Sequence, residues 1–149
     1  MKMKNYILGI SCLYHDSAAT LIKDGEIIAA VQEERFSRKK NDSGFPTNSI
    51  KYCLGSGKIN LKDLSAIIYY EKPLLTFERL LETYLATAPL GFLSFVSAIK
   101  VWLKDKLFLK SSLRREFELI HKNSNSKEKF IMPKLLFSQH HLSHAASAF

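Results

Sequence analysis

The sequence predicts an α/β fold for this chain of 149 residues. Three observations carry the prediction: five short runs rich in β-branched and aromatic residues, an Asp-Gly turn between two of them, and longer stretches with the apolar spacing of helices. Because 46% of the residues are hydrophobic, a chain of this length can bury one sizeable core, and we expect no more than one domain.

The predicted strands are short, and three of them open the chain. They cover residues 6–11, 18–23, 26–31, 66–71 and 134–137. Asp24 and Gly25 stand between the second and the third strand, and this dipeptide readily adopts the positive φ angles of a tight turn. We therefore expect these two strands to form an antiparallel hairpin.

Helices are predicted in two regions between the third and the fifth strand. In residues 47–57, Ile50, Cys53 and Leu54 fall on one helical face, and two glycines are expected to end the helix. Residues 75–120, approximately, carry further apolar stripes and predict an insertion of two or three helices. One more helix is expected after the fifth strand.

The order of elements is β-β-β-α-β-α-β-α with a helical insertion. That order is the connectivity of a ribonuclease-H-like half-domain, the first half of an actin-like domain. Residues 1–149 are therefore expected to form the N-terminal part of an actin-like domain. Ligands of such open sheets bind beyond the carboxyl ends of the strands, so the loops after the first and the fifth strand are candidate sites.

Charge and cysteine content restrict the partners and the compartment. A net charge of +8 predicts an anionic partner, for which nucleic acid, an acidic membrane surface and a phosphorylated small molecule all qualify. The chain has two cysteines and no signal-peptide pattern in its first ten residues, which favours a reducing cytoplasm. The most apolar window, residues 89–99, is shorter than the roughly 20 residues that cross a bilayer, so no membrane span is expected.

A pair of histidines follows the fifth strand in the segment SQHHLSH. His140 and His144 are four residues apart, which puts both imidazoles on one face of a helix with Ser138 as the expected N-cap. A helix N-terminus disfavours imidazolium, and a divalent metal requires neutral imidazole, so this position suits metal ligands. The alternative is a structural or solvated pair. His141 lies about 100° round the helix, which favours a substrate or packing role over ligation.

Two further loops contain candidate residues. After the first strand, the segment HDSAA places His15 and Asp16 where they can meet a substrate or transfer a proton. The alternative is a turn in which Asp16 caps the local backbone and His15 is exposed. After the third strand, Glu33 and Glu34 precede four basic residues that include Lys39, and this run predicts either an anion-binding loop or a solvated face.

Several separated segments resemble one enzyme family. The segments HDSAATLIKDGEIIAAVQEERFSRKKND, FPTNSIKYCL, APLGFLSF with VWLKDKL, and HHLSHAASAF occur in the order found in the N-terminal part of the O-carbamoyltransferases related to nodulation protein U and to antibiotic-tailoring carbamoyltransferases. The resemblance covers nearly the whole chain. Those enzymes join an actin-like domain, similar to the tRNA threonylcarbamoyl-transferring proteins, to a C-terminal domain that resembles the threonylcarbamoyl-adenylate synthases.

The resemblance implies an activity and its ligands. The C-terminal domain would make carbamoyl-adenylate from carbamoyl phosphate and ATP, and the actin-like domain would transfer the carbamoyl group to a hydroxyl of a sugar or antibiotic-like small molecule. The histidine motif of the family implies a divalent metal, with iron(II) expected. Carried over by motif, the expected site residues are His15 and Asp16 for catalysis, Lys39 and His141 for substrate binding, and His140 and His144 for the metal.

The resemblance implies that the second half of the actin-like domain and the adenylate-forming domain of the family lie outside these 149 residues. We therefore expect an N-terminal fragment that is inactive alone, whose partners are the missing C-terminal domain, the acceptor and, in the full-length protein, a second copy of itself. Two other functions remain open. One is a tRNA threonylcarbamoyl-transferase-like subunit, which the basic residues of 100–130 favour, and the other is a non-catalytic fragment. The long helical insertion favours the O-carbamoyltransferases, so nucleic acid is not the expected partner.

Overall fold

The computed structural model describes residues 5–105, 108–124 and 129–146. Within these ranges the strands are β1 (Tyr6–Ser11), β2 (Ala18–Lys23), β3 (Glu26–Gln32), β4 (Leu64–Tyr69) and β5 (Lys134–Phe137). They form one mixed sheet in the order β3-β2-β1-β4-β5. Strand β1 pairs antiparallel with β2 and parallel with β4, and β4 pairs parallel with β5. The predicted α/β class is confirmed.

Strands β2 and β3 form the predicted hairpin. They pair antiparallel, and Asp24 and Gly25 between them have φ angles of 53° and 96°. Positive φ at both central positions is typical of the type I′ turn, whose twist matches that of the flanking strands. The Asp24 carboxylate also accepts the backbone N–H of Asn5 at 3.0 Å, which holds the turn against the start of β1.

The helices within the described ranges are α1 (Glu34–Ser37), α2 (Thr47–Gly57), α3 (Pro73–Thr87), α4 (Phe92–Asp105), α5 (Leu109–Asn123) and α6 (His140–Ala146), and a 3-10 turn covers Leu61–Asp63. The single turn α1 was not predicted. Helix α2 has the predicted bounds and ends at Gly57, the second of the two glycines. Gly55 lies within the helix, and the left-handed residue that follows the helix is Lys58, with a φ of 52°. None of these helices combines the length and the apolar character needed to cross a bilayer.

Helix α2 packs on β2 and β3 and covers part of the hydrophobic core. Ile50 and Cys53 of α2 are fully buried and Leu54 is nearly so, as their shared helical face predicted. Leu8 of β1 and Leu21 of β2 are also fully buried. Burial of each such aliphatic side chain contributes about 1.5–3 kcal/mol to folding, so this face holds α2 on the sheet.

The chain divides into two compact units. One comprises residues 1–71 and 116–149 and contains the sheet, and the other comprises residues 72–115. In the second unit the rings of Phe77 and Trp102 lie 4.7 Å apart between their centroids, and Tyr84 stacks on Phe95 at 4.2 Å. Aromatic side chains of α3 and α4 thus contact one another, whereas Leu85 of the predicted apolar stripe is exposed.

Candidate functional site

The carboxyl ends of three parallel strands meet at one edge of the sheet. Strands β1, β4 and β5 end at Ser11, Tyr69 and Phe137, and β4 is the middle strand of the three. Segments that leave the carboxyl ends of adjacent parallel strands can reach a common ligand. The loop of residues 12–17 follows β1 and helix α6 follows β5, so the structure places the predicted site residues of both segments at this edge.

His15 and Asp16 form a contact pair in the loop after β1. The Nδ1 atom of His15 lies 2.8 Å from Oδ2 of Asp16, and the two side chains are 60% and 41% exposed. An exposed pair of this kind contributes little to stability, but it orients the imidazole and leaves Nε2 as the ring nitrogen that can exchange a proton with a ligand. His15 is exposed, as the alternative reading of a simple turn expected, while its contact with Asp16 fits a proton-transfer pair.

Two loops at this edge have unusual backbone conformations. Leu13 and Asp16 have φ angles of 70° and 47° in the loop after β1, and Arg38 and Asn41 have φ angles of 58° and 54° in the loop after α1. They are four of the six non-glycine residues with positive φ in the described part of the chain. Such conformations cost about 1–3 kcal/mol each and persist where surrounding contacts hold them, often at functional sites.

Backbone hydrogen bonds join these two loops. The N–H of Leu13 donates to the carbonyl of Ser43 at 2.8 Å, and both the N–H and the hydroxyl of Ser17 donate to the carbonyl of Asp42 at 2.8 Å. Ser17 is 1% exposed, so these bonds are shielded from water. The loop that contains Lys39 is therefore held against the loop that contains the His15–Asp16 pair.

Lys39 projects from this joined pair of loops. Its Nζ atom lies 4.0 Å from Oδ1 of Asp42, and its side chain is 71% exposed. The backbone N–H of Gly44, which donates to the same carboxylate at 3.0 Å, lowers the pKa of Asp42. Asp42 therefore stays ionised beside an ammonium group that solvent or an anionic ligand can reach.

Glu33 differs from the rest of its charged run because it is buried, with 4% of its surface exposed. Its carboxylate accepts the backbone N–H and the side-chain amide of Asn48 at 3.1 and 2.7 Å, and the N–H and hydroxyl of Ser49 at 2.8 and 2.7 Å. Both residues lie in the first turn of α2, where a helix leaves its N–H groups without internal partners. For Glu33 the reading of a solvated face is therefore wrong, whereas residues 35–41 are exposed.

Helix α6 carries the predicted metal ligands. It begins at His140, so His140 and His144 lie one turn apart along the helix. Ser138 is not its N-cap: the N–H of Ser138 donates to the Tyr69 carbonyl at 2.8 Å and so continues the pairing of β5 with β4, and its Oγ lies 3.4 Å from the Gln139 carbonyl. The His140 ring is half-buried, and the side chain of His144 lies outside what the structure describes.

Helix α6 also carries a third histidine, next to the first predicted metal ligand. His141 is exposed, and its ring centroid lies 5.9 Å from that of His140. Imidazole nitrogens suit zinc, iron, copper and nickel, so two of them one turn apart on a helix fit part of a metal site. Across residues 5–105, 108–124 and 129–146, no group of three or more His, Cys, Asp or Glu side chains could hold a metal. The metal site therefore stays a prediction, and it requires further donors.

Two tyrosines at the end of β4 lie between the loop after β1 and helix α6. Tyr69 is fully buried, and its hydroxyl donates to the carbonyl of Cys12 at 2.9 Å. The ring of Tyr70 contacts that of His140, and its carbonyl accepts the hydroxyl of Ser143 at 3.1 Å. Sequence reasoning missed this role, although the tyrosine pair at the end of a predicted strand was a usable signal.

Tyr69 and Tyr70, whose side chains are neutral phenols, are expected to make the free energy of unfolding fall at high pH. Burial raises the pKa of Tyr70 from 10.0 to about 12, and burial also raises the pKa of Tyr69. The unfolded chain releases these protons first as pH rises, so their stabilisation is complete below about pH 10 and is lost as pH rises toward 12. Urea unfolding at about pH 8 and about pH 11 should show a larger loss for the wild type than for Tyr70→Phe. The exposed Tyr52→Phe should follow the wild type, and an equal loss in Tyr70→Phe would contradict this prediction.

A cavity of 680 Å³ in the sheet-containing unit lies away from this edge. Its lining includes Asn60 and Leu61, which precede β4, and Ile120 and His121 of α5. Since Leu61 comes before the amino end of β4, the cavity lies at the opposite end of the parallel strands. We therefore assign it no part in the candidate site.

Comparisons with known proteins identify relatives of the chain. The Carbamoyltransferase N-terminus family model matches residues 6–149. The chain is 58% identical over 144 residues to the uncharacterized protein sll1178 of Synechocystis, a match that covers 97% of this chain and 23% of that protein. It is 36% identical over 135 residues to the nodulation protein NolNO of Sinorhizobium fredii, covering 91% of this chain and 17% of that protein.

The chain therefore spans less than a quarter of the length of either of these relatives. The family match, in contrast, covers almost all of the chain, including the loop after β1, the loop with Lys39 and helix α6. The resemblance seen in the separated motifs is thereby confirmed. The chain belongs to the carbamoyltransferase family, and its residues 6–149 match the N-terminus of that family.

Proposed function

We propose that this chain is the N-terminal part of an O-carbamoyltransferase that moves a carbamoyl group from carbamoyl-adenylate to a hydroxyl of a sugar or antibiotic-like acceptor. The observation that carries the proposal is the meeting of two joined loops and helix α6 at one edge of the sheet, in a chain of this family. The strand order and the helices between β4 and β5 also support a ribonuclease-H-like first half of an actin-like domain.

In the proposed reaction, the acceptor hydroxyl oxygen attacks the carbamoyl carbon. The bond between that carbon and the phosphate oxygen of the adenylate breaks, AMP leaves, and the hydroxyl proton passes to a base. We assign the base to His15, because Asp16 lies 2.8 Å from its Nδ1 atom and leaves Nε2 for the proton. Asp16 then stabilises the imidazolium that forms.

Negative charge develops on the carbamoyl and phosphate oxygens during this step. The exposed ammonium of Lys39 is proposed to bind one of these oxygens, and His141 to contact the substrate from α6. A divalent metal, proposed to be iron(II), would be held by His140 and His144 and would act as a Lewis acid on the carbamoyl oxygen. Its remaining donors are proposed to come from other parts of the whole protein.

The length of the relatives supports the proposal that different parts of the whole protein perform adenylate formation and carbamoyl transfer. The formation of carbamoyl-adenylate from carbamoyl phosphate and ATP is assigned to a part of the protein other than this chain. The 149-residue chain alone is therefore expected to carry residues that act in the transfer of the carbamoyl group to the acceptor. It is not expected to perform the complete reaction. We propose that the whole protein acts as a homodimer on a small-molecule acceptor.

The test is transfer of labelled carbamoyl from carbamoyl phosphate, with ATP, to a panel of sugar and aminoglycoside acceptors. It uses a protein of the relatives' length with this sequence at its N-terminus. Lys39→Ala is expected to lower kcat/KM on the order of 100-fold, since it removes one charge-stabilising donor. Lys40→Ala changes the neighbouring exposed lysine and should stay within about twofold of the wild type. Equal losses in the two variants, or full turnover by the 149-residue chain alone, would contradict the proposal.

A further inference from the structure

We infer that Tyr70 is a positioning residue for His140, and that the hydrogen bond from Ser143 to Tyr70 holds helix α6 on the end of β4. The inference rests on the proposed function only in giving His140 a ligand's role. Its structural basis is a set of contacts between the end of β4 and one face of α6. Neither residue was among those expected from the sequence or from the family resemblance.

Tyr70 contacts α6 in two ways. Its ring centroid lies 5.6 Å from that of His140 with the planes at 60°, a geometry within the favourable range for aromatic pairs. Its carbonyl accepts the Ser143 hydroxyl at 3.1 Å, and the Gln139 carbonyl lies 3.2 Å from the same hydroxyl. His140 and Ser143 are three residues apart, so both contacts fall on the same face of the helix.

Burial and hydrogen bonds hold the end of β4 in place. The preceding residue, Tyr69, is fully buried, and its hydroxyl is bonded to the Cys12 carbonyl at 2.9 Å. The Tyr69 carbonyl accepts the N–H of Ser138, which continues the pairing of β4 with β5 up to the start of α6. Tyr70 therefore follows a segment that is bonded on both sides, to the loop after β1 and to the connection before α6.

Helix α6 needs such contacts because it is short. It has 7 residues, and a helix shorter than about 12 residues is marginal in water without tertiary contacts. A ligating side chain must be held within about 0.5 Å of its working position. The contacts with Tyr70 are thus expected to decide where the His140 ring lies, which makes Tyr70 a positioning residue.

Nuclear magnetic resonance of the 149-residue chain tests this inference. In Ser143→Ala, the amides of α6 should exchange with solvent about fivefold faster, as expected for the loss of the hydrogen bond to Tyr70. The variant also removes the contact with Gln139, but a serine hydroxyl bonded four residues back within a helix does not stabilise that helix. Alanine is a better helix former than serine, so helix propensity cannot cause faster exchange. Ser124→Ala is the matched control, because the Ser124 hydroxyl donates to the His121 carbonyl at the end of α5.

The ring contact is tested by a second pair of variants. Tyr70→Leu should shift the carbon-bound proton signals of the His140 ring, whereas Tyr70→Phe keeps the ring and should restore them. Unchanged α6 exchange in Ser143→Ala would overturn the inference, and so would an unshifted His140 signal in a folded Tyr70→Leu. If Tyr70→Leu does not fold, the exchange rates of Ser143→Ala decide alone.

Metal titration separates this inference from the proposed function. Zinc is added to a full-length protein that carries this sequence and to its Ser143→Ala variant. The signals of the His140 ring are followed in both. Faster α6 exchange in Ser143→Ala supports the role of the hydrogen bond whatever zinc does. If α6 exchange responds as expected while zinc leaves the His140 signals of a full-length protein unchanged, the metal assignment fails and the positioning role of Tyr70 stands.

Discussion

Replacement of Glu33 by alanine is expected to lower the free energy of unfolding by about 3 kcal/mol. The side chain is 4% exposed and accepts four hydrogen bonds from Asn48 and Ser49. Its loss leaves two backbone N–H groups of the first turn of α2 without their acceptor, together with the hydroxyl of the fully buried Ser49. Urea unfolding of the variant and the wild type measures the difference.

The neighbouring glutamate provides the control. Glu34 accepts a single backbone N–H, from Asn41 at 3.3 Å near the surface, and Glu34→Ala should cost about 0.5 kcal/mol. Glu33→Gln keeps an acceptor oxygen and should fall between the two. A loss for Glu33→Ala no larger than that for Glu34→Ala would show that the buried carboxylate is not the cap of α2.

Replacement of His144 by alanine is expected to abolish stoichiometric metal binding in a full-length protein that carries this sequence. Because His144 lies one turn into α6, alanine should preserve the backbone, while removal of a ligand should weaken metal affinity on the order of 100-fold or more. Carbamoyl transfer should fall in parallel if the metal polarises the carbamoyl oxygen. Metal analysis of the purified variant and the wild type measures the effect.

His141→Ala is the matched control on the same helix. It should retain the metal and change mainly substrate handling, since His141 points away from the face shared by His140 and His144 by about 100°. Equal metal content in His144→Ala and the wild type would mean that the histidine pair is structural.

Local sequence patterns predicted many of the strands and turns, because these elements are selected by interactions between residues that are close in sequence. The strands at 6–11, 18–23 and 134–137 have the predicted bounds, and the Asp24-Gly25 turn joins the expected hairpin. The misses at element ends have tertiary causes. Ser138 looked like an N-cap, but its N–H continues the pairing of β5 with β4, so α6 begins at His140.

The sequence by itself determined the α/β class, the family and the segments that carry His15, Lys39 and His140, because periodicity and ordered motifs are properties of the chain alone. Only the tertiary structure decided that Glu33 caps a helix far along the chain and that Tyr70 contacts His140. These contacts join residues 16 and 70 positions apart in the sequence, and no local pattern specifies such partners. They form because a buried polar group must find a partner and because the parallel pairing of β1, β4 and β5 brings distant segments to one edge.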